Sequence, residues 1–251
     1  MKTILTAIFL LLIFLESGAQ NPDTIVVSQI HIHHEDIRFG KHTYVIYTKQ
    51  SPDSPIQNQT LVQINVHQQP YQGKQGIAIS QIWHEKDTIS HTAFSLLKGD
   101  DLSTLQHHFW WKRTAQKIAL DYEHQALDIE GNATEIQRQK LQQDFGNTLQ
   151  SGHFFNWHAD LVLFPLFPLK ENRVLKVKFH DPGLGIPTTE LYKVIKSEPI
   201  EGIDCWVLEY TLPRNMGYQR FWIAKKAKEV LKEEDSFNGR FRYKFKMTVS
   251  E

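Results

Sequence analysis

The amino-acid sequence predicts a mainly β protein, an antiparallel sheet with one dry face. Three observations predict it: apolar residues recur at every second position, turn signals separate those runs, and little of the chain carries a helical period. In Leu61–His67 the apolar set is Val62, Ile64 and Val66, and in Leu175–His180 it is Leu175, Val177 and Phe179. Near the end, Phe241, Tyr243, Phe245 and Met247 alternate with Arg242, Lys244, Lys246 and Thr248. A period of two buries one face of a strand and wets the other.

Along the chain, further strands are expected at 24–32, 42–48, 76–84, 88–97, 108–113, 117–123, 191–197, 205–212 and 219–224. Turn residues cluster at Ser51–Pro55, Gly99–Asp101, Glu130–Asn132, Asp181–Gly183 and Pro213–Asn215. Asn238-Gly239, just before Phe241, is a hairpin signal. One helix is expected over Trp157–Phe164, capped by Asn156 and stopped by Pro165, with Trp157, Leu161 and Phe164 as its apolar stripe. The stretch 133–143 is rich in Gln and charge, and reads equally as a short helix or an exposed loop. A sheet with so little helix to cover it must curl on itself or pair with a second sheet.

The chain has 251 residues and opens with Lys2 and an apolar run over Ile4–Leu15, then Ser17 and Ala19. Small residues at those positions fit signal-peptidase cleavage before Gln20. A run of that length makes about 18 Å of helix, too short for a hydrocarbon core of about 30 Å. Residues 1–19 are therefore expected to be a cleaved signal, and residues 20–251 a single β-rich domain in the periplasm or outside the cell. No cysteine follows the apolar run, so a lipid anchor is not expected. No later segment has the apolar length of a spanning helix. Lysine plus arginine equal aspartate plus glutamate at 28 each, which removes any bulk attraction to nucleic acid. Cys205 is the single cysteine and sits in an apolar run, as a buried small hydrophobe would.

Chemistry has three candidate seats. His31 and His33 would share one strand face about 7 Å apart, and with a third ligand could hold zinc or copper; with no HExxH-type spacing or cysteine partner, a solvated histidine face opposite Ile30 and Ile32 is the simpler reading. His107-His108 is a weaker metal pair, because adjacent strand residues point to opposite faces, and His124, His153, His158 and His180 read as surface or satisfied polar residues. No G-x-S-x-G elbow or phosphate loop occurs, and the acidic pairs Asp100-Asp101 and Glu233-Glu234 read as solvated turn residues. The sequence thus indicates no catalytic residue, cofactor or metal. Asn58 and Asn132 begin glycosylation sequons. The aromatics Phe109-Trp110-Trp111, Phe154-Phe155, Trp157, Trp206, Tyr218 and Phe221-Trp222 would either pack a core or line an apolar cavity. Trp110 and Trp111 must point to opposite faces of their strand.

The C-terminal part carries a resemblance. The run Phe164–Val177 (FPLFPLKENRVLKV) is followed by the strands of Thr188–Ile195 and Glu198–Tyr210, then Gln219–Ala224, then Val230–Glu234. This order resembles an uncharacterised group of secreted Gram-negative, Bacteroidetes-type proteins, similar in turn to the lipoprotein carriers LolA and LolB. The resemblance covers residues 156–247. It implies a curved half-barrel, or β-clam, with one or two short helices on its concave face. It further implies a binding or carrier-like role for an apolar, lipid-like ligand, and no catalytic residue. Trp157, Leu161, Phe164, Phe179, Trp206, Leu208 and Phe221 would line the concave face. Two alternatives remain: a secreted interaction domain meeting an envelope protein partner, and a hydrolase built on His31 and His33.

Overall fold

A computed structural model describes residues 23–182 and 185–248. The expected signal at 1–19 lies outside the described residues. The described residues form an open, curved antiparallel sheet with two short α-helices. It is built from two meanders. The first runs through β2 (Gly40–Lys49), β3 (Gln57–Tyr71), β4 (Lys74–Glu85), β5 (Thr88–Lys98), β6 (Thr104–Trp111), β7 (Gln116–Asp121) and β8 (Ala126–Gly131). The second runs through β10 (Val174–His180), β11 (Thr188–Ile200), β12 (Ile203–Thr211), β13 (Gly217–Ala224), β14 (Glu229–Phe237) and β15 (Arg240–Met247). Last strand meets first: β15 pairs antiparallel with β2, from Phe241 opposite Lys49 to Met247 opposite Thr43. Two short strands, β1 (Thr24–Val26) and β9 (Phe155–Asn156), add in parallel to β10. The free edges fall at β8 and beyond β10, so the sheet does not close.

Between the meanders, residues 132–173 leave the sheet except at β9. They form α1 (Glu135–Thr148) and a composite helical segment: α2 (Asp160–Leu163) flanked by 3-10 turns at Trp157–Ala159 and Phe164–Leu166. Its apolar side chains pack into one core with the inward residues of β2–β4 and β10–β14. Val62, Ile64, Val66, Leu175, Val177 and Phe179 are all buried there, as their period requires. Asn238 and Gly239 both take positive φ, 48° and 77°, which matches the twist of the β14–β15 hairpin.

Several expectations are corrected. The strand at 24–32 stops at Val26, because 3-10 turns at Val27–Gln29 and His34–Asp36 fold the chain so that Val27, Ile32 and Ile37 are buried. His31 and His33 therefore share no strand face; their rings meet edge to face at 5.5 Å, and His33 Nδ1 lies 3.0 Å from Glu35. Asn156 precedes the helical segment but does not cap it with its side chain, which turns to Ser95 and Thr104 instead. Pro165 sits inside the final 3-10 turn, where its missing N–H costs nothing, and does not end the helix before it.

A further correction inverts a face. On β15 the charged set points inward: Lys244 is 4% exposed, and Met247, from the apolar set, is 46% exposed. Glu233 is not a turn residue; it lies in β14 and is 2% exposed. Its carboxylate meets the Lys244 ammonium and, at 3.0 Å, Arg242; Arg242 also pairs with Asp235. Counter-charges on neighbouring strands are what allow these groups inside. The displaced aromatics stack outside, Tyr47 on Tyr243 at 5.2 Å, with Lys232 Nζ 3.9 Å from the Trp222 ring centroid.

Candidate functional site

α1 lies over the β6–β8 end of the sheet. Thr134 starts it with a full capping box: the Gln137 amide donates to Thr134 Oγ1 at 3.2 Å and the Thr134 amide to Gln137 Oε1 at 2.9 Å. Phe145, Leu141 and Leu149 then pack onto Phe109, Ile118 and Leu120 of the strands below. The opposite side is polar apart from Ile136, which is 80% exposed. This packing leaves a groove of about 380 Å³ between helix and sheet. Phe109, Trp111, Ile118, Leu141 and Trp157 form its apolar walls, and Arg113, Lys140, Asp144 and Asp181 supply its charges. That volume falls in the usual range for small-ligand sites.

The floor of the groove rests on a buried chain of three histidines. The His91 Nδ1 proton goes to the Trp110 carbonyl at 2.7 Å. His91 Nε2 must then accept, and His158 Nε2 donates to it at 2.7 Å. His158 Nδ1 accepts in turn from His107 Nε2 at 3.1 Å, and Ser95 Oγ stands 3.0 Å from His107 Nδ1. A carbonyl stands at each end, Trp110 at 2.7 Å from His91 Nδ1 and Phe94 at 3.2 Å from His107 Nδ1, and this tautomer order is the one that places the proton on the shorter contact. Burial holds the imidazoles neutral: His91 is pushed down to about 4, His107 to about 3, and His158 well below the usual histidine range. Both nitrogens of His91 and His158 are spent within the chain. Trp111 stacks on His91 at 3.6 Å and Trp157 on His158 at 3.9 Å, so the chain props up two of the groove's aromatic walls.

His180 is likewise buried and satisfied, with Nδ1 2.7 Å from the Tyr122 hydroxyl and Nε2 3.0 Å from the Gly185 carbonyl. Asp181 lies in the groove. Burial pushes its carboxyl up to about 6, and the neighbouring Trp157 indole opposes that shift. Among the described residues, no three His, Cys, Asp or Glu side chains converge to hold a metal ion.

The residues expected to line the concave face do come together. Leu161, Phe164, Phe179, Leu208 and Phe221 are buried in the main core, and Trp157 and Trp206 pack against it half-buried. Phe164 is the wedge, with ring centroids 4.7 Å from Phe221, 4.8 Å from Tyr192 and 5.8 Å from Phe179. Of the seven, Trp157 also walls the groove. Sequence reading missed His91, Arg113 and Asp181 as site residues. Trp157, with Phe109 and Trp111 of the aromatic triplet, pointed to this end of the sheet. The charged groove residues come from separate loops and a helix, which no local motif joins.

The family described as "Protein of unknown function (DUF3108)" matches residues 43–246. No curated protein matches the chain. Solved structures that align with it include a DUF1329 family protein from Desulfovibrio piger, at 10% identity over 83% of each chain and a TM-score of 0.27. A putative outer membrane lipoprotein-sorting protein domain from Vibrio parahaemolyticus aligns at 10% identity over 83% of this chain and 84% of the other, TM-score 0.29. A LolA superfamily protein from Nitrosomonas europaea aligns at 10% identity over 85% and 88%, TM-score 0.21. At such scores the likeness transfers no ligand and no chemistry.

Proposed function

The chain belongs to the DUF3108 family, and we propose that it is an extracytoplasmic, carrier-like binding protein for an apolar, lipid-like ligand. The observation that carries this is the groove of about 380 Å³ under α1, walled by Phe109, Trp111, Ile118, Leu141 and Trp157. Apolar concavities with a few fixed polar groups are the usual form of a small-ligand site. The N-terminal apolar run supports export. Among the described residues no helix is long and apolar enough to cross a membrane. The concave face behind the groove is filled by Phe164 and its neighbours, so the ligand's first seat is the groove, with Trp157 joining the two regions.

Titration of the delipidated protein with dodecanoate and with dodecanol tests this, read by tryptophan fluorescence and native mass spectrometry. Saturable, one-to-one binding of either is expected, and Leu141→Trp, which fills the groove, should abolish it. Absence of both bound masses and of a saturable signal would reject the carrier role. The filled concave face would then favour the second reading, a β domain that meets an envelope protein partner.

A further inference from the structure

Resting on that reading, we propose that the groove selects an amphiphile with an oxyanion head, carboxylate or phosphate, and that Arg113 is the residue that recognises the head. Arg113 lies in the turn between β6 and β7. That turn is pinned by the Lys112 amide donating to the Ser90 carbonyl at 3.0 Å and the Ala115 amide to the Lys112 carbonyl at 3.2 Å. The guanidinium sits 5.1 Å from the centroid of the Trp111 ring. Trp111 is itself stacked on His91, and the buried histidine chain anchors His91. A layered stack thus holds a cation at an aromatic wall of the groove.

The groove's other cation is already spent, since Lys140 is paired with Asp144. Nearby, Lys117 is paired with Glu130 at 2.7 Å, and Arg138 donates to the carbonyls of Ile129, Gly131 and Ala133. Among the described residues, Arg113 has no carboxylate partner and no hydrogen-bond acceptor. A guanidinium offers a planar fork of donors that fits carboxylate and phosphate bidentately. Phe109, Ile118 and Leu141 continue the apolar wall beyond it, where a chain attached to that head would lie. Of the two carboxylates in the groove, Asp144 is neutralised by Lys140 and Asp181 stands beside the Trp157 indole.

The test compares dodecanoate, dodecyl phosphate and dodecanol on the delipidated protein, by calorimetry and tryptophan fluorescence, in wild type, Arg113→Ala and Arg113→Lys. One or both anions should bind at least about tenfold tighter than dodecanol. Arg113→Ala should erase that advantage by lowering the affinity for the anion more than that for dodecanol, and Arg113→Lys should restore only part of it, because the fork is lost. The anion that holds the Arg113-dependent advantage identifies the head. Equal affinity for all three ligands, or an anion preference that survives Arg113→Ala, overturns the head assignment while leaving the groove as a ligand site. Failure of all three to bind overturns both.

Discussion

His158 stands between two other imidazoles and gives both of its nitrogens to them. That makes it a structural residue whose cost appears as a pH dependence. The folded rings of His91, His107 and His158 stay neutral far below the ordinary histidine value near 6.5. The unfolded chain takes up protons there that the folded chain refuses. Stability from this chain is therefore complete above about pH 6.5 and falls as pH drops from there toward about 4. Asp181 and Asp235, both raised to about 6 by burial, act oppositely: their contribution is full below about pH 4 and is lost as pH rises to about 6. We predict that His158→Phe, which strands nitrogens of His91 and His107, costs about 1–3 kcal/mol per stranded group at pH 7.5 and flattens the loss between pH 6.5 and 5. Urea unfolding across that range, from pH 7.5 down to about 5, measures it; an unchanged slope would dissociate the acid loss from this chain. Of these histidines the sequence marked His158 as a surface or satisfied polar residue and passed over His91, and it could not show the three as a group, because they come from β5, β6 and the helical segment.

At the scale of elements, α1 was the segment left open between helix and loop. Its sequence is mostly polar, so a hydrophobic period hardly marks it. The Thr134–Gln137 capping box and the contacts of Leu141, Phe145 and Leu149 hold it in place. Arg138 adds a second function. β8 is an edge strand, and its unpaired carbonyls would template pairing with another chain. Arg138 occupies those of Ile129 and Gly131, at 2.5 Å and 3.1 Å. Arg138→Ala is expected to lose about 1–2 kcal/mol, allowing for partial exposure. It should also speed amide exchange across residues 126–148 and raise concentration-dependent association on size-exclusion chromatography. Unchanged exchange in β8 would show that the edge is protected otherwise.

Across the whole molecule, the seam between the meanders is charged on its inner face. Glu233, Asp235, Lys244 and Arg242 meet there. Asp160 of the helical segment joins them, its carboxyl raised by burial and drawn down by Lys244. Three acids face two bases, so one carboxyl tends to keep its proton, which agrees with the upward shifts at Asp160 and Asp235. We predict that Lys244→Met costs about 3–5 kcal/mol by leaving Glu233 buried without its ammonium. The double change Lys244→Met with Glu233→Leu should recover most of it. Thermal or urea unfolding checks this; a double variant no more stable than the single would place the cost in packing instead of charge.

The sequence by itself determined the β class, most strand positions, the Asn238-Gly239 hairpin and the apolar set that meets around Phe164. Those features are local: a period of two, a turn dipeptide and a run of aromatics act within a few residues. Only the tertiary structure decided which face of β15 turns inward, whether 133–143 is a helix, and where the groove lies. Each depends on partners far along the chain. Glu233 makes Lys244 an inner residue against its alternation, Phe109 and Ile118 give α1 a surface to pack on, and His91, His107 and His158 become one chain only when strands β5 and β6 meet the helical segment.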